Sequence, residues 1–201
     1  ATELLSFLNS INRFTIITCW LVFLSFLFFL HHQSVKKDHN LSSKKKFQVY
    51  IFIIFIILIL TFLIAIIYPP TTPDSMSYHM TRVMQWVQNN NIDFFPTSST
   101  RQLIMSPFAE YVILHLYLIT NNDILSNLPQ WIAMCLCLIS VSLIINELGG
   151  SKHVQIIGII FTITLPMGIL QSTSTQTDYI ASAWVIIAVY FIIRLMNTGL
   201  K

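Results

Sequence analysis

Five apolar runs, each close to the length of a membrane crossing, constrain this chain more than any other feature. A helix that crosses a bilayer needs about 20 mainly apolar residues. Phe14–Leu30, Val49–Tyr68, Leu128–Leu148, Val154–Leu170 and Tyr179–Leu195 meet or approach that length, and none has an Asp, Glu, Lys or His near its centre. Charged residues make up only 9% of the chain and hydrophobic ones 55%, whereas a water-soluble domain carries roughly 25% charged residues. The expected fold class is therefore all-α: a polytopic transmembrane helix bundle of about five spans, with amphipathic juxtamembrane helices in its first large outer loop. Spans without central ionisable groups offer no intramembrane ion path.

The basic residues set the expected orientation. Five of the eleven, Lys36, Lys37, Lys44, Lys45 and Lys46, lie between the first two runs. With no aromatic residues interleaved, the cluster reads as a solvated loop and not as a nucleic-acid site. Lys and Arg accumulate on the cytoplasmic side, so His31–Phe47 is expected inside. Pro69–Asn127 is then outside, Gly149–His153 inside, Gln171–Asp178 outside, and Arg194 and Lys201 inside. Phe108–Thr120 is apolar but short, and it contains Glu110 and His115. It is expected to lie on the outer surface as an interfacial helix. Cys19, Cys135 and Cys137 all fall in apolar runs and read as small hydrophobic residues, not as a disulfide framework.

The outer loop holds most of the potential chemistry. Its prolines stop the preceding helix, and Asp74 or Ser75 is expected to cap a new one. Met76, Met80, Val83, Met84 and Val87 recur at helical spacing, with Arg82, Gln85 and Asn89 on other sides and Trp86 suited to a membrane interface. That pattern predicts an amphipathic helix along the bilayer, ending at Asn89–Asn91. Asp74 and Asp178 both read as helix N-caps, and a carboxylate in that position stays ionised and available for chemistry. Arg82 and Arg101 read as headgroup anchors or as ligands for a specific phosphate. His79 reads first as structural. No HExxH, CxxC pair or glycine-rich phosphate loop is present.

The order of these parts resembles the polytopic GT-C superfamily of glycosyltransferases, specifically the family 39 type, which includes protein O-mannosyltransferases and the lipid A aminoarabinose transferase. The resemblance runs from about Tyr68 to Leu195 and rests on PDSMSYHMTRVMQW, SPFAEYVILHLYLIT…LSNLPQWIAM and LPMGILQSTSTQTDYIASAW. It implies a polyprenyl-phosphate sugar as donor, membrane lipids around it, and a glycan, lipid or protein acceptor. It also implies a multi-pass protein of the bacterial cytoplasmic (inner) membrane with its active site facing outward. In the family the first-loop Asp is catalytic, a position matched by Asp74; the later-loop Asp that shapes the site is matched by Asp178. Tyr78, His79, Arg82 and Arg101 are the accompanying candidates for substrate binding. Family members often carry Asp-Glu where this chain has Asp74-Ser75, so sugar and acceptor specificity do not carry over.

In this reading Asp74 accepts the proton of an acceptor hydroxyl, and Arg82 or Arg101 stabilises the departing lipid phosphate. Asp178 orients the acceptor, positions Asp74 or binds a divalent cation. Direct attack in one step predicts inversion at the sugar carbon. The chain is expected to be the N-terminal part of one transmembrane domain, inactive alone, with a missing C-terminal remainder. Residues 1–47 supply an additional span and basic loop, and residues 48–201 the core spans with outer loop 69–127. Two other classes compete: a membrane transporter, and a non-catalytic scaffold in which both aspartates are only caps.

Overall fold

A computed structural model describes residues 2–32 and 45–199, and among them every regular element is helical. In chain order these are α1 (Thr2–Phe7), α2 (Arg13–His32), α3 (Lys45–Ile67), a π-helical turn (Ser75–His79), α4 (Met80–Asn89), α5 (Arg101–Ile104), α6 (Phe108–Thr120), α7 (Leu128–Glu147), α8 (Lys152–Ile163), α9 (Pro166–Ser172) and α10 (Asp178–Thr198). Of the basic loop expected over His31–Phe47, Lys36, Lys37 and Lys44 lie outside the described residues, while Lys45 and Lys46 begin α3.

Among the described residues, three helices are long and apolar enough to cross a membrane: Gln48–Ile67 within α3, Leu128–Glu147 and Asp178–Thr198. A fourth crossing exists only if α8 and α9 count as one element, because they meet at 71°. The unbroken span expected over Val154–Leu170 is thus corrected. Pro166 disfavours a helical conformation in the residue before it, and Leu165 is extended, with ψ 119°. α2 adds a shorter apolar stretch, Arg13–Phe26, so the described helices give three to four crossings where about five were expected. α6 is too short to cross.

Side-chain hydrogen bonds fix how the long helices run. Asn127 Nδ2 donates to the Tyr68 carbonyl (2.9 Å), joining the end of α3 to the start of α7. The Ile180 amide donates to Gln130 Oε1 (3.1 Å) at the start of α10, and Asn197 Nδ2 donates to the Glu147 carbonyl (2.8 Å) at its end. α7 and α10 are therefore parallel, and α3 opposes both. Gln155 of α8 donates to Asn146 Oδ1 (3.1 Å), so α8 turns back along α7. Small residues, Ala133, Cys137 and Ala183, line the α7–α10 contact, where close backbone approach gives packing that lipid does not. Gly168 serves the same end: a Cβ there would come within 2.4 Å of the Tyr179 hydroxyl.

A second core forms at the end of the bundle that carries residues 68, 127 and 178. Val83 and Trp86 of α4, Ile113 and Leu114 of α6, and Phe95 pack there with Ile11. Burying each such side chain stabilises by about 1.5–3 kcal/mol. The N-terminal segment is thus built into this layer and is more than a flank to the first apolar run. Its Ile11 amide donates to the Asn90 carbonyl (3.3 Å), and Thr2 Oγ1 bonds His115 Nε2 (2.9 Å). α4 and α6 each end on an asparagine, Asn90 and Asn121, in the left-handed conformation at φ 54°, which asparagine tolerates better than most residues.

Candidate functional site

The two loops that carry the candidate aspartates meet. Thr175 Oγ1 donates to Ser75 Oγ (2.5 Å), and Thr72 Oγ1 bonds the same oxygen at 2.5 Å. Ser75 and Thr175 are both fully buried. Asp74 precedes one end of this link and Asp178 follows the other by three residues. Neither carboxylate makes the side-chain cap expected of it. Asp74 has helical backbone angles and Asp178 sits inside the first turn of α10, with Thr177 at the cap position. Their oxygens are left to face outward, Asp74 partly and Asp178 openly.

Two of the candidate residues gather around Asp74. Arg101 Nη1 lies 3.8 Å from Asp74 Oδ1, with 63% of the Arg101 and 43% of the Asp74 side chain exposed. The same guanidinium lies over the Tyr78 ring, 5.9 Å from its centre. Burial raises the Tyr78 hydroxyl above its ordinary value of 10.0; the negative charges of Asp74 and Asp178 push it further up, and Arg101 opposes them. Tyr78 therefore stays a neutral donor at neutral pH, and both aspartates lie within electrostatic reach of it. An exposed cation, two carboxylates and a phenol can together hold a phosphate ester and accept a proton from a hydroxyl.

His79 and Arg82 face the other way. The sequence pattern set Arg82 off the apolar stripe and suited Trp86 to a membrane interface; both are instead buried. The π-helical turn just before α4 shifts the register, so that Ser75 and His79 point inward while Tyr78 stays at the surface. Arg82 donates to the main-chain carbonyls of Gln102, Met105 (3.0 Å) and Arg101 (3.1 Å). Beneath it, Glu110 Oε1 meets His79 Nδ1 at 2.8 Å and Arg82 Nη1 at 3.5 Å. Burial lowers the Arg82 guanidinium from its ordinary value, against the raising effect of Glu110. With its donors spent on carbonyls, Arg82 has no face for a substrate phosphate, so Arg101 alone of the two arginines is presented outward.

Sequence reasoning missed Glu110 and Thr175. Glu110 was visible only as a charge that argued against a span, and Thr175 as one hydroxyl among several in STSTQTD. Among the described residues, no group of three or more His, Cys, Asp or Glu side chains gathers in a way that suits a metal ion.

An apolar groove of about 260 Å³ begins at this same end of the bundle, between α6, α7 and α10. Phe108, Val112, Ile132, Leu136, Ile180 and Trp184 line it. Phe108 and Trp184 meet edge to face at its rim, 5.6 Å apart. Its upper residue on α10, Ile180, is two positions beyond Asp178. No protein-family model, curated protein or solved structure matches this chain.

Proposed function

We propose that this chain is part of a membrane glycosyltransferase of the GT-C family 39 type, which moves a sugar from a polyprenyl-phosphate donor to an acceptor hydroxyl on the extracytoplasmic face, with inversion. The observation that carries the reading is the buried hydroxyl link between Ser75 and Thr175, which brings the two aspartate-bearing loops to one end of the bundle. Asp74 is the general base. Arg101, with the neutral Tyr78 beside it, takes the donor phosphate, and Asp178 orients the acceptor. The groove below suits an isoprenoid chain, since it is apolar and opens beside the charged cluster. Five crossings follow if α2 and the α8–α9 pair each traverse the bilayer of a bacterial inner membrane.

Sugar transfer from a polyprenyl-phosphate sugar by the full-length protein tests this. Asp74→Asn should lower kcat/KM by roughly 10²–10⁴-fold, the usual contribution of a positioned acid or base; Asp178→Asn should lower it less. Full activity in both variants would sink the site. Transport is a second reading, favoured by the broken α8–α9 helix, since discontinuous helices carry the sites of many transporters. The residues flanking that break, Leu165 and Met167, are apolar and exposed. Counterflow of radiolabelled sugar in proteoliposomes, without covalent transfer, would favour it.

A further inference from the structure

We infer that Arg82 and Glu110 are a positioning pair that holds the segment bearing Arg101 against Tyr78 and Asp74, and so governs capture of the donor phosphate. The nature of the captured group rests on the transferase reading above; how the segment is held does not.

Arg82 is 1% exposed and Glu110 is 0% exposed. Burying a guanidinium is costly, and a well-packed apolar residue often gives equal or greater stability. What the cation supplies here is direction. The guanidinium is a planar fork with donors at fixed angles, and its three bonds all end on one short stretch of main chain, Arg101 to Met105. Gln102 adds a fourth tether, donating from Nε2 to the Ser77 carbonyl (2.7 Å), next to Tyr78. These bonds hold the backbone of α5 from below while the Arg101 side chain projects from above. Glu110 fixes the fork in turn, and it ties Arg82 to His79, the residue after Tyr78. Both walls of the cluster, Tyr78 on one strand of the contact and Arg101 on the other, are therefore referenced to one buried carboxylate. A lysine at position 82 would keep the charge but, as a point donor, would not hold three carbonyls at once.

The test uses full-length protein in nanodiscs, with farnesyl phosphate as the binding probe. Hydrogen exchange over residues 97–107 should quicken about tenfold or more in Arg82→Lys, since hydrogen bonds to a charged group are being lost, while α7 and α10 stay protected. Glu110→Gln should do the same to a smaller degree, and it serves if Arg82→Lys does not fold. Farnesyl phosphate binding should weaken about tenfold in Arg101→Ala and in Arg82→Lys, and no further in the double variant, because one change acts through the other. Unchanged exchange over 97–107, an equal rise throughout the bundle, or a double-variant loss equal to the product of the single losses would each overturn the inference. Failure of the unaltered protein both to bind the probe and to transfer sugar would instead overturn the transferase reading, and the exchange result would still decide whether Arg82 holds the segment.

Discussion

Asp74 and Glu110 are carboxylates of the same segment between α3 and α7, yet the fold gives them opposite tasks. Asp74 is partly exposed beside a mostly exposed arginine, and a solvated pair of this kind contributes about 0–1 kcal/mol. Its carboxylate remains free to act. Glu110 is fully buried between His79 and Arg82, and removing one partner of a buried charged group costs roughly 3–5 kcal/mol. Glu110→Ala should therefore lower the unfolding midpoint in detergent clearly, while Asp74→Ala leaves it almost unmoved. The link at Ser75 gives a finer test. Thr175→Val keeps the shape and loses the hydroxyl, while Ser75 keeps Thr72 as a partner, so the cost is that of one hydrogen bond, about 0.5–1.5 kcal/mol; transfer should fall with it, and Thr175→Ser should restore most of the rate. Asp74 and Asp178 were legible in the sequence because each opens a helix beside a run of polar residues. Glu110 and Thr175 were not, because their partners lie 31 and 100 residues away and only the tertiary fold brings them together.

Among the elements, α3, α7 and α10 were legible from uninterrupted apolar length, and α6 from being too short. The break at Leu165 was half legible: Pro166 marks it, but hydropathy runs through it without a change, so the bend is a backbone event that periodicity does not record. The helix of residues 75–89 was legible as amphipathic, but its facing was not, since a π-helical turn at its start adds one residue to the register. The role of α1 was illegible for a similar reason. TELLSF has no strong pattern, and what fixes it is contact with His115 of α6 and the loop after α4. Burial lowers His115 below its ordinary 6.5, so the docked state favours the neutral ring, which sits beside Trp20 and Thr2. The contribution to docking is fully present above pH 6.5 and is lost as pH falls through the lowered folded value. Limited proteolysis of residues 2–12 should accordingly be slow at pH 7.5 and faster at pH 5, and His115→Gln should flatten that difference.

At the scale of the whole molecule, the parallel run of α7 and α10 settles which loops share a side. The hydrogen bonds at Asn127 and Gln130 gather residues 68, 127 and 178 at one end, and those at Asn146 and Glu147 gather the turn between α7 and α8 and the end of α10 opposite. Single cysteines placed at Ser99 and Ser151 should therefore be labelled by a membrane-impermeant reagent from opposite faces of sealed vesicles. Labelling from the same face would undo the arrangement. The hollow between α6, α7 and α10 is walled by helices on its flanks and left open along its length, with half-exposed Phe108, Ile132 and Trp184 at the margin. Under the transferase reading proposed above, a lipid guest that fills such a slot would slide in sideways from the surrounding oil, tail and head together, without passing through water. Its supply would then be governed by how crowded it is within the sheet of lipid, a two-dimensional quantity, and not by its molarity in the medium.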